Sequence, residues 1–155
     1  MTEIYKDTLI TEFKDPLFKS AFQEYFSELG IQVKDWDSLF TEMDEDGENA
    51  AYVRTSEDGT LVGFIMFIPI VFTSWFFEST CGFIREFWIR ESHRNQGHGA
   101  HLLDLAESFF RDKGITYTIL TTDTVRDFYV KRGYFAAPGI KARNQDDVFV
   151  KRLDI

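Results

Sequence analysis

Phe83-Ile84-Arg85-Glu86-Phe87-Trp88-Ile89, followed closely by His93-Arg94-Asn95-Gln96-Gly97-His98-Gly99-Ala100-His101-Leu102-Leu103, is the stretch that decides how this chain is read. The first part has the aromatic and aliphatic character of a strand. The second opens an amphipathic helix that the spacing carries from about Gly97 to Lys113. A small-residue turn between a strand and a helix leaves the first helical N–H groups without partners. Together with the positive end of the helix dipole, they form a place for an anion such as phosphate. Gly97 and Gly99 have no Cβ, so a ligand can come close to the backbone there.

The rest of the composition bounds what this turn can serve. At 155 residues, 44% hydrophobic and with seventeen Phe, the chain is expected to form one globular domain spanning 1–155. The net charge of −9 and the scatter of Lys and Arg argue against nucleic acid as a partner. An acidic surface favours cationic substrates, although many ordinary proteins carry one. The longest apolar run, Leu61 to Phe72, is about a dozen residues, short of the roughly 20 that a membrane helix needs. No membrane partner is expected. The start of the chain lacks a signal-peptide pattern, and its one cysteine, Cys81, cannot form an internal disulfide. Both point to the cytoplasm. Cys81 reads either as a small buried residue or as a reactive thiol.

Around the turn, the chain orders itself into alternating elements. A strand over Tyr5 to Phe13 is followed by Asp15-Pro16, an N-cap and a first helical residue. Leu17, Phe18, Ala21, Phe22, Tyr25, Phe26 and Leu29 then mark one helical face, and Gly30 stops it. A second helix is expected from Asp35, with Trp36, Leu39, Phe40 and Met43 on one side. The acidic run Asp44-Glu45-Asp46-Gly47-Glu48-Asn49 reads either as a solvated connector or as a mouth that draws in an ammonium group. Its likeness to a calcium loop is faint, because the later ligand positions do not follow.

Ala50 to Thr55 and Leu61 to Thr73 read as a hairpin turned at Asp58-Gly59. Pro69 implies an edge position or a bulge. Trp75-Phe76-Phe77 forms an aromatic loop suited to a pocket, to packing on the core, or to a homodimer interface. Strands over Ser79 to Ile89, Tyr117 to Thr121, from Tyr134 and over Asp147 to Leu153, with a short helix from Asp123 to Lys131, complete an α/β chain with a mixed sheet. His93, His98 and His101 lack the spacing for a metal site, so no metal is expected.

Taken together, Arg94-x-x-Gly97-x-Gly99 after a strand and Phe128-Tyr129-Val130-Lys131-Arg132-Gly133-Tyr134 further on are similar to the two signatures of the GNAT N-acetyltransferase superfamily. Residues 83 to 135 carry most of this resemblance, and Val148 to Leu153 resembles the family's closing strand. The resemblance implies a central mixed, mostly antiparallel sheet of about six or seven strands, flanked by about four helices on both faces. It also implies acetyl-CoA as cosubstrate, with its pyrophosphate on Arg94, Asn95, Gln96, Gly97, His98, Gly99 and Ala100. In the family, the strand before the turn splays from the next one and the pantetheine arm lies in the opening. The Ile89 main chain would then polarise the thioester carbonyl, an effect typically worth about 3 to 4 kcal/mol of barrier. Thr122 stands where the family often has an Asn on the pantetheine arm.

The implied activity is transfer of an acetyl group to a primary amine of a small molecule or protein, by direct attack in a ternary complex. Glu86 interrupts an apolar strand and matches a position that the family often uses for the base; its other reading is an Arg partner or a solvent-facing carboxylate. Asp123 and Glu78 are further candidates. Tyr129 matches the tyrosine that protonates the leaving thiolate, and reads otherwise as a core tyrosine. A catalytically silent acyl-CoA sensor with the same fold is the alternative function.

Overall fold

The computed structural model describes residues 4–73, 78–122, 125–137, 142 and 146–154. The aromatic loop at Trp75-Phe76-Phe77, Asp123 and the side chain of Glu78 lie outside the described residues. In chain order the elements are β1 (Tyr5–Ile10), α1 (Pro16–Leu29), α2 (Trp36–Glu45), β2 (Ala50–Ser56), β3 (Leu61–Thr73) and β4 (Glu78–Ile89). A single 3₁₀ turn, Glu91–His93, leads to α3 (His98–Asp112), β5 (Tyr117–Thr122), α4 (Arg126–Val130), β6 (Phe135–Ala136) and β7 (Asp147–Arg152). The strands pair in the order β1-β2-β3-β4-β5-β7-β6, a seven-stranded sheet. Pairing is antiparallel for β1 with β2, β2 with β3, β5 with β7 and β6 with β7. It is parallel for β4 with β5, through Gly82↔Thr118 and Phe83↔Ile119. This is the mixed, mostly antiparallel sheet with four helices that the signatures imply.

Two compact units divide the chain, one built from residues 1–68 and 85–106, the other from 69–84 and 107–155. In the first, the local signals in the sequence are obeyed closely. The Asp15 carboxylate accepts the Leu17 N–H at 2.8 Å, Pro16 opens α1, and Gly30 ends it at φ 73°. Asp35 caps α2 by accepting the Ser38 N–H at 3.1 Å. β1 ends at Ile10, three residues before the expected Phe13. The chain turns there, so that the Phe13 ring packs edge-on to Phe18 with centroids 4.8 Å apart, and its N–H donates to Asp44 Oδ1 at 2.8 Å. Phe13, Phe18, Ala21, Phe22, Phe40 and Met43 from the helical side meet Ala51, Val53, Phe64, Met66 and Trp88 from the sheet. Successive strand residues alternate faces, so Arg54 and its partner Asp7 lie on the other side. There α3 adds His98, packed edge-on to Tyr5 at 4.5 Å, and His101, bonded to Asp7 at 2.8 Å. The sheet is therefore covered on both faces, and His98 turns inward, away from solvent.

Strand packing explains the glycines that carry no turn. A Cβ on Gly63 would sit 2.2 Å from the Trp88 carbonyl oxygen, and one on Gly82 would sit 2.2 Å from the Phe110 ring. Pro69 lies past the last pair of β2 with β3, Ala50↔Phe67, which makes its missing N–H harmless on that side.

The second unit holds a buried charge. Glu107, 1% exposed, accepts the Tyr134 hydroxyl at 2.8 Å and the Lys151 ammonium at 2.7 Å. Burial and the nearby Glu107 charge push the Tyr134 hydroxyl far above its usual pKa, so it remains a donor. Cys81 is a free, half-buried thiol whose pKa is raised by burial. Removing one partner from such a pair strands the other charge. The Lys151→Met variant is expected to lose about 3 kcal/mol of stability in urea unfolding at neutral pH.

Candidate active site

β4 delivers the chain to the turn that the sequence singles out. Ile89 ends the strand, and the Arg90 N–H donates to the Val62 carbonyl at 2.7 Å, anchoring the exit. Asn95 is the non-glycine residue with positive φ among the described residues, at 63°, and Gly97 follows at 89°. Asn tolerates that left-handed region better than most side chains, and Gly tolerates it best. Two left-handed residues within three positions swing the chain into α3. The first bond closing the helix runs from the His101 N–H to the Gly97 carbonyl at 3.1 Å. The N–H groups of Gly99 and Ala100 precede it and have no acceptor within the helix. Donors of this kind at the positive end of a fifteen-residue helix suit a phosphate oxygen.

Arg94 is held on the protein side of the turn. Its Nε donates to the Ile89 carbonyl at 2.8 Å and one terminal nitrogen donates to Glu28 at 2.7 Å. Glu28 also accepts the Trp88 indole N–H at 2.8 Å, and the neighbouring Arg90 is paired with Glu24. Gln96 donates to the Ser92 carbonyl at 3.3 Å. The guanidinium of Arg94 has five donors, so these two contacts leave capacity for an anion.

Glu86, two turns of the pleat before the exit, is half-buried. Its carboxylate accepts the Tyr25 hydroxyl at 2.8 Å. Burial raises the Glu86 pKa, while the Tyr25 hydrogen bond and the Arg85 charge pull it down. Glu86 lines a cleft of about 520 Å³ together with Phe22, Phe26, Leu39, Met43 and Met66, whose side chains give it an apolar wall. Glu42, Glu45 and Asp46 stand there with Arg85, so four carboxylates face one guanidinium. Arg85 is committed to Asp46 at 3.0 Å and to Asn49 Oδ1 at 2.9 Å. Glu42 and Glu45 have no ion-pair partner among the described residues.

The acidic run is exposed to solvent from Asp44 to Glu48, as a connector would be, but its last residue is pinned. Asn49, 5% exposed, donates to the Met43 and Asp46 carbonyls at 2.9 and 3.1 Å and ties off the end of α2. Among the described residues, no three His, Cys, Asp or Glu side chains gather to hold a metal ion.

Tyr129 and Thr122 belong to the second unit. Tyr129, on α4, is 6% exposed and packs edge-on to Phe128 and Tyr134, at 5.1 and 5.6 Å. Burial pushes its hydroxyl pKa up to about 12. Thr122 ends β5, and its hydroxyl oxygen accepts the Val125 N–H at 3.4 Å.

Sequence reasoning did not single out Tyr25, Glu28 or Arg85 for this site. Tyr25 reads there as one more apolar-face residue of α1, and its partner lies 61 positions away. Such pairing leaves no local pattern to find.

With this geometry in view, comparison with known proteins defines the class. A model of the acetyltransferase (GNAT) family matches residues 8–134, and the chain belongs to that family. No curated protein matches it. Solved structures with the same fold include a GNAT-family acetyltransferase from Staphylococcus aureus Mu50, at 14% identity and TM-score 0.68, covering 96% of this chain and 100% of that one. A predicted acetyltransferase from Clostridium acetobutylicum, solved with acetyl-CoA, has 15% identity and TM-score 0.73 over 90% of this chain and 95% of its own. An aminoglycoside acetyltransferase from an uncultured soil metagenomic sample, in complex with sisomicin, has 18% identity and TM-score 0.64, covering 83% and 84%. Among the described residues, no helix is long and apolar enough to cross a membrane.

Gly97 offers a test of the turn. A methyl there would meet no atom within 4 Å, yet φ is 89°. The Gly97→Ala variant is expected to lose about 1 kcal/mol in thermal or urea unfolding through backbone strain alone.

Proposed function

We propose that the chain is an acetyl-CoA-dependent N-acetyltransferase that acetylates a primary amine by direct attack in a ternary complex. The observation that carries the reading is the half-buried Glu86 carboxylate, oriented by Tyr25 and set in the wall of a cleft with an acidic rim. The turn from Asn95 to Ala100 fits a pyrophosphate, because its left-handed residues free main-chain donors at the start of α3. Acetyl-CoA supplies an activated acetyl thioester.

The chain's own residues handle charge and protons. Asn95, Gln96, Gly97, His98, Gly99 and Ala100 hold the pyrophosphate through the backbone, with the spare donors of Arg94 beside them. Ile89 main chain and the Thr122 hydroxyl serve the pantetheine arm. An alkyl amine has a pKa of about 10.4 and arrives as ammonium. Glu86 accepts a proton from it, directly or through a water, and so generates the nucleophile. As the C–S bond breaks, the Tyr129 hydroxyl delivers a proton to sulfur. With its pKa pushed up to about 12 by burial, the group is protonated at neutral pH and holds the proton to be given.

The acceptor is a cationic, partly apolar amine. Glu42, Glu45 and Asp46 attract positive charge, while Phe22, Phe26, Leu39 and Met66 take carbon. A polyamine, an aminoglycoside or a protein N-terminus has that character, and the soil enzyme of similar fold was solved with sisomicin. The free Cys81 fits a reducing cytoplasm.

The decisive experiment is acetyl-CoA-dependent thiol release across an amine panel. Cationic amines are expected to turn over; acetyl-CoA binding with no release for any amine would make the protein a sensor instead. Glu86 must be ionised to act, and burial raises its pKa. The kcat is therefore expected to fall as pH drops, with a midpoint above the ordinary carboxylate range, and Glu86→Gln should remove that limb along with most of the rate. The Tyr129→Phe variant is expected to lower kcat about a hundredfold while acetyl-CoA affinity, read by calorimetry, changes little.

A further inference from the structure

The surroundings of Tyr25 are specific. It lies on the aromatic face of α1, with its ring within 5.6 to 5.8 Å of Phe22, Phe26 and Phe64 and 6.3 Å from Trp88. Contacts with these four rings fix its direction, and its hydroxyl reaches across to β4 at 2.8 Å from the Glu86 carboxylate. A packed aromatic with one free torsion at its tip is a poor adaptor and a good strut.

We propose that Tyr25 is a positioning residue for the reaction: it orients the Glu86 carboxylate and sets the pH range in which that carboxylate can accept a proton. The inference rests on the reading of Glu86 as the base. A phenol that donates to a carboxylate stabilises the ionised form, because protonation would cost it the charge-assisted bond. Tyr25 stays a donor throughout, since burial and the Glu86 charge hold its own pKa far above the usual value. The other charged groups around Glu86 cannot substitute for it. Arg85, next on the strand, lowers the Glu86 pKa but is tied to Asp46 and Asn49. From α2 and its C-cap, Glu42, Glu45 and Asp46 line the same cleft and carry no donor for the carboxylate. From α1, Glu24 and Glu28 are turned to Arg90 and to Arg94 with Trp88. β3 offers Met66 there, which has no charge. Tyr25 is thus the group that counteracts burial by a direct bond.

The Tyr25→Phe variant keeps the ring and its packing, so folding is preserved, and thermal unfolding verifies this. Two readouts then decide. Carbon-13 NMR of the labelled Glu86 carboxyl gives its titration midpoint in both proteins, and the pH profile of kcat gives the kinetic limb with one cationic amine at saturation. Both are expected to rise by about one pH unit in the variant, the worth of a hydrogen bond to a charged group. The plateau above the limb should stay within about threefold. An unchanged NMR midpoint overturns the proposal and leaves Glu86 as base intact. A raised midpoint with an unmoved kinetic limb shows that Glu86 is not the base, and the inference about Tyr25 falls with it.

Discussion

The packing of Phe22 fixes the placement of everything else in the first unit. Its ring lies 4.6 Å from Phe26, 5.8 Å from Tyr25 and from Phe64, and 6.1 Å from Phe40. One residue thus joins α1, α2 and β3 through aromatic contacts, each worth about 0.5 to 1.5 kcal/mol beyond the area buried. With the helix held in rotation by this contact, the residues at i+2, i+3 and i+6 can point in one way only. Glu24 meets Arg90, Tyr25 meets Glu86, and Glu28 meets Trp88 and Arg94. A helix that buries an aromatic stripe therefore presents a polar stripe to the last residues of β4 and to the turn beyond them.

That arrangement places two different demands on α1. Its Tyr25 donates to the Glu86 carboxylate, and its Glu24 and Glu28 pair with Arg90 and Arg94 beside the turn into α3. The carboxylates on exposed ground near Arg90 and Arg94 add little stability by themselves, since solvent screens such pairs. Their effect is directional. Arg94 is bound at both ends, to the Ile89 carbonyl and to Glu28, which braces the strand end against the helix.

Much of this was legible in the chain because much of it is local. Asp15-Pro16, Gly30 and Asp35 mark helix ends by capping chemistry that needs no distant partner. The Gly97 turn is readable because a left-handed φ favours glycine, and Asn95 at 63° obeys the same rule two residues earlier. β1 was drawn too long because Phe13 has strand propensity, yet its ring is claimed by the aromatic cluster and its N–H by Asp44. Tertiary packing overrode a weak local preference. The acidic run at 44–49 was ambiguous for a related reason. Its composition shows charge, but the buried Asn49 that pins it shows only in the carbonyls and the Arg85 that it meets. Residues 61 or 66 positions apart, such as Tyr25 with Glu86 and Glu28 with Arg94, leave no periodic trace in the sequence.

The same contrast separates the two tyrosines with raised pKa values. Burial is the first cause for both, but Tyr25 also faces the Glu86 carboxylate, whereas Tyr129 has burial alone. A phenol beside a carboxylate is committed: its proton is already shared, and releasing it would leave two negative charges in contact. The Tyr129 phenol, among rings and without a hydrogen-bond partner among the described residues, has no such commitment. Identical side chains thus stand in opposite settings, one bound to a carboxylate and the other packed between aromatic rings. The difference lies in what each hydroxyl touches, and that is set by the helix on which each one is carried.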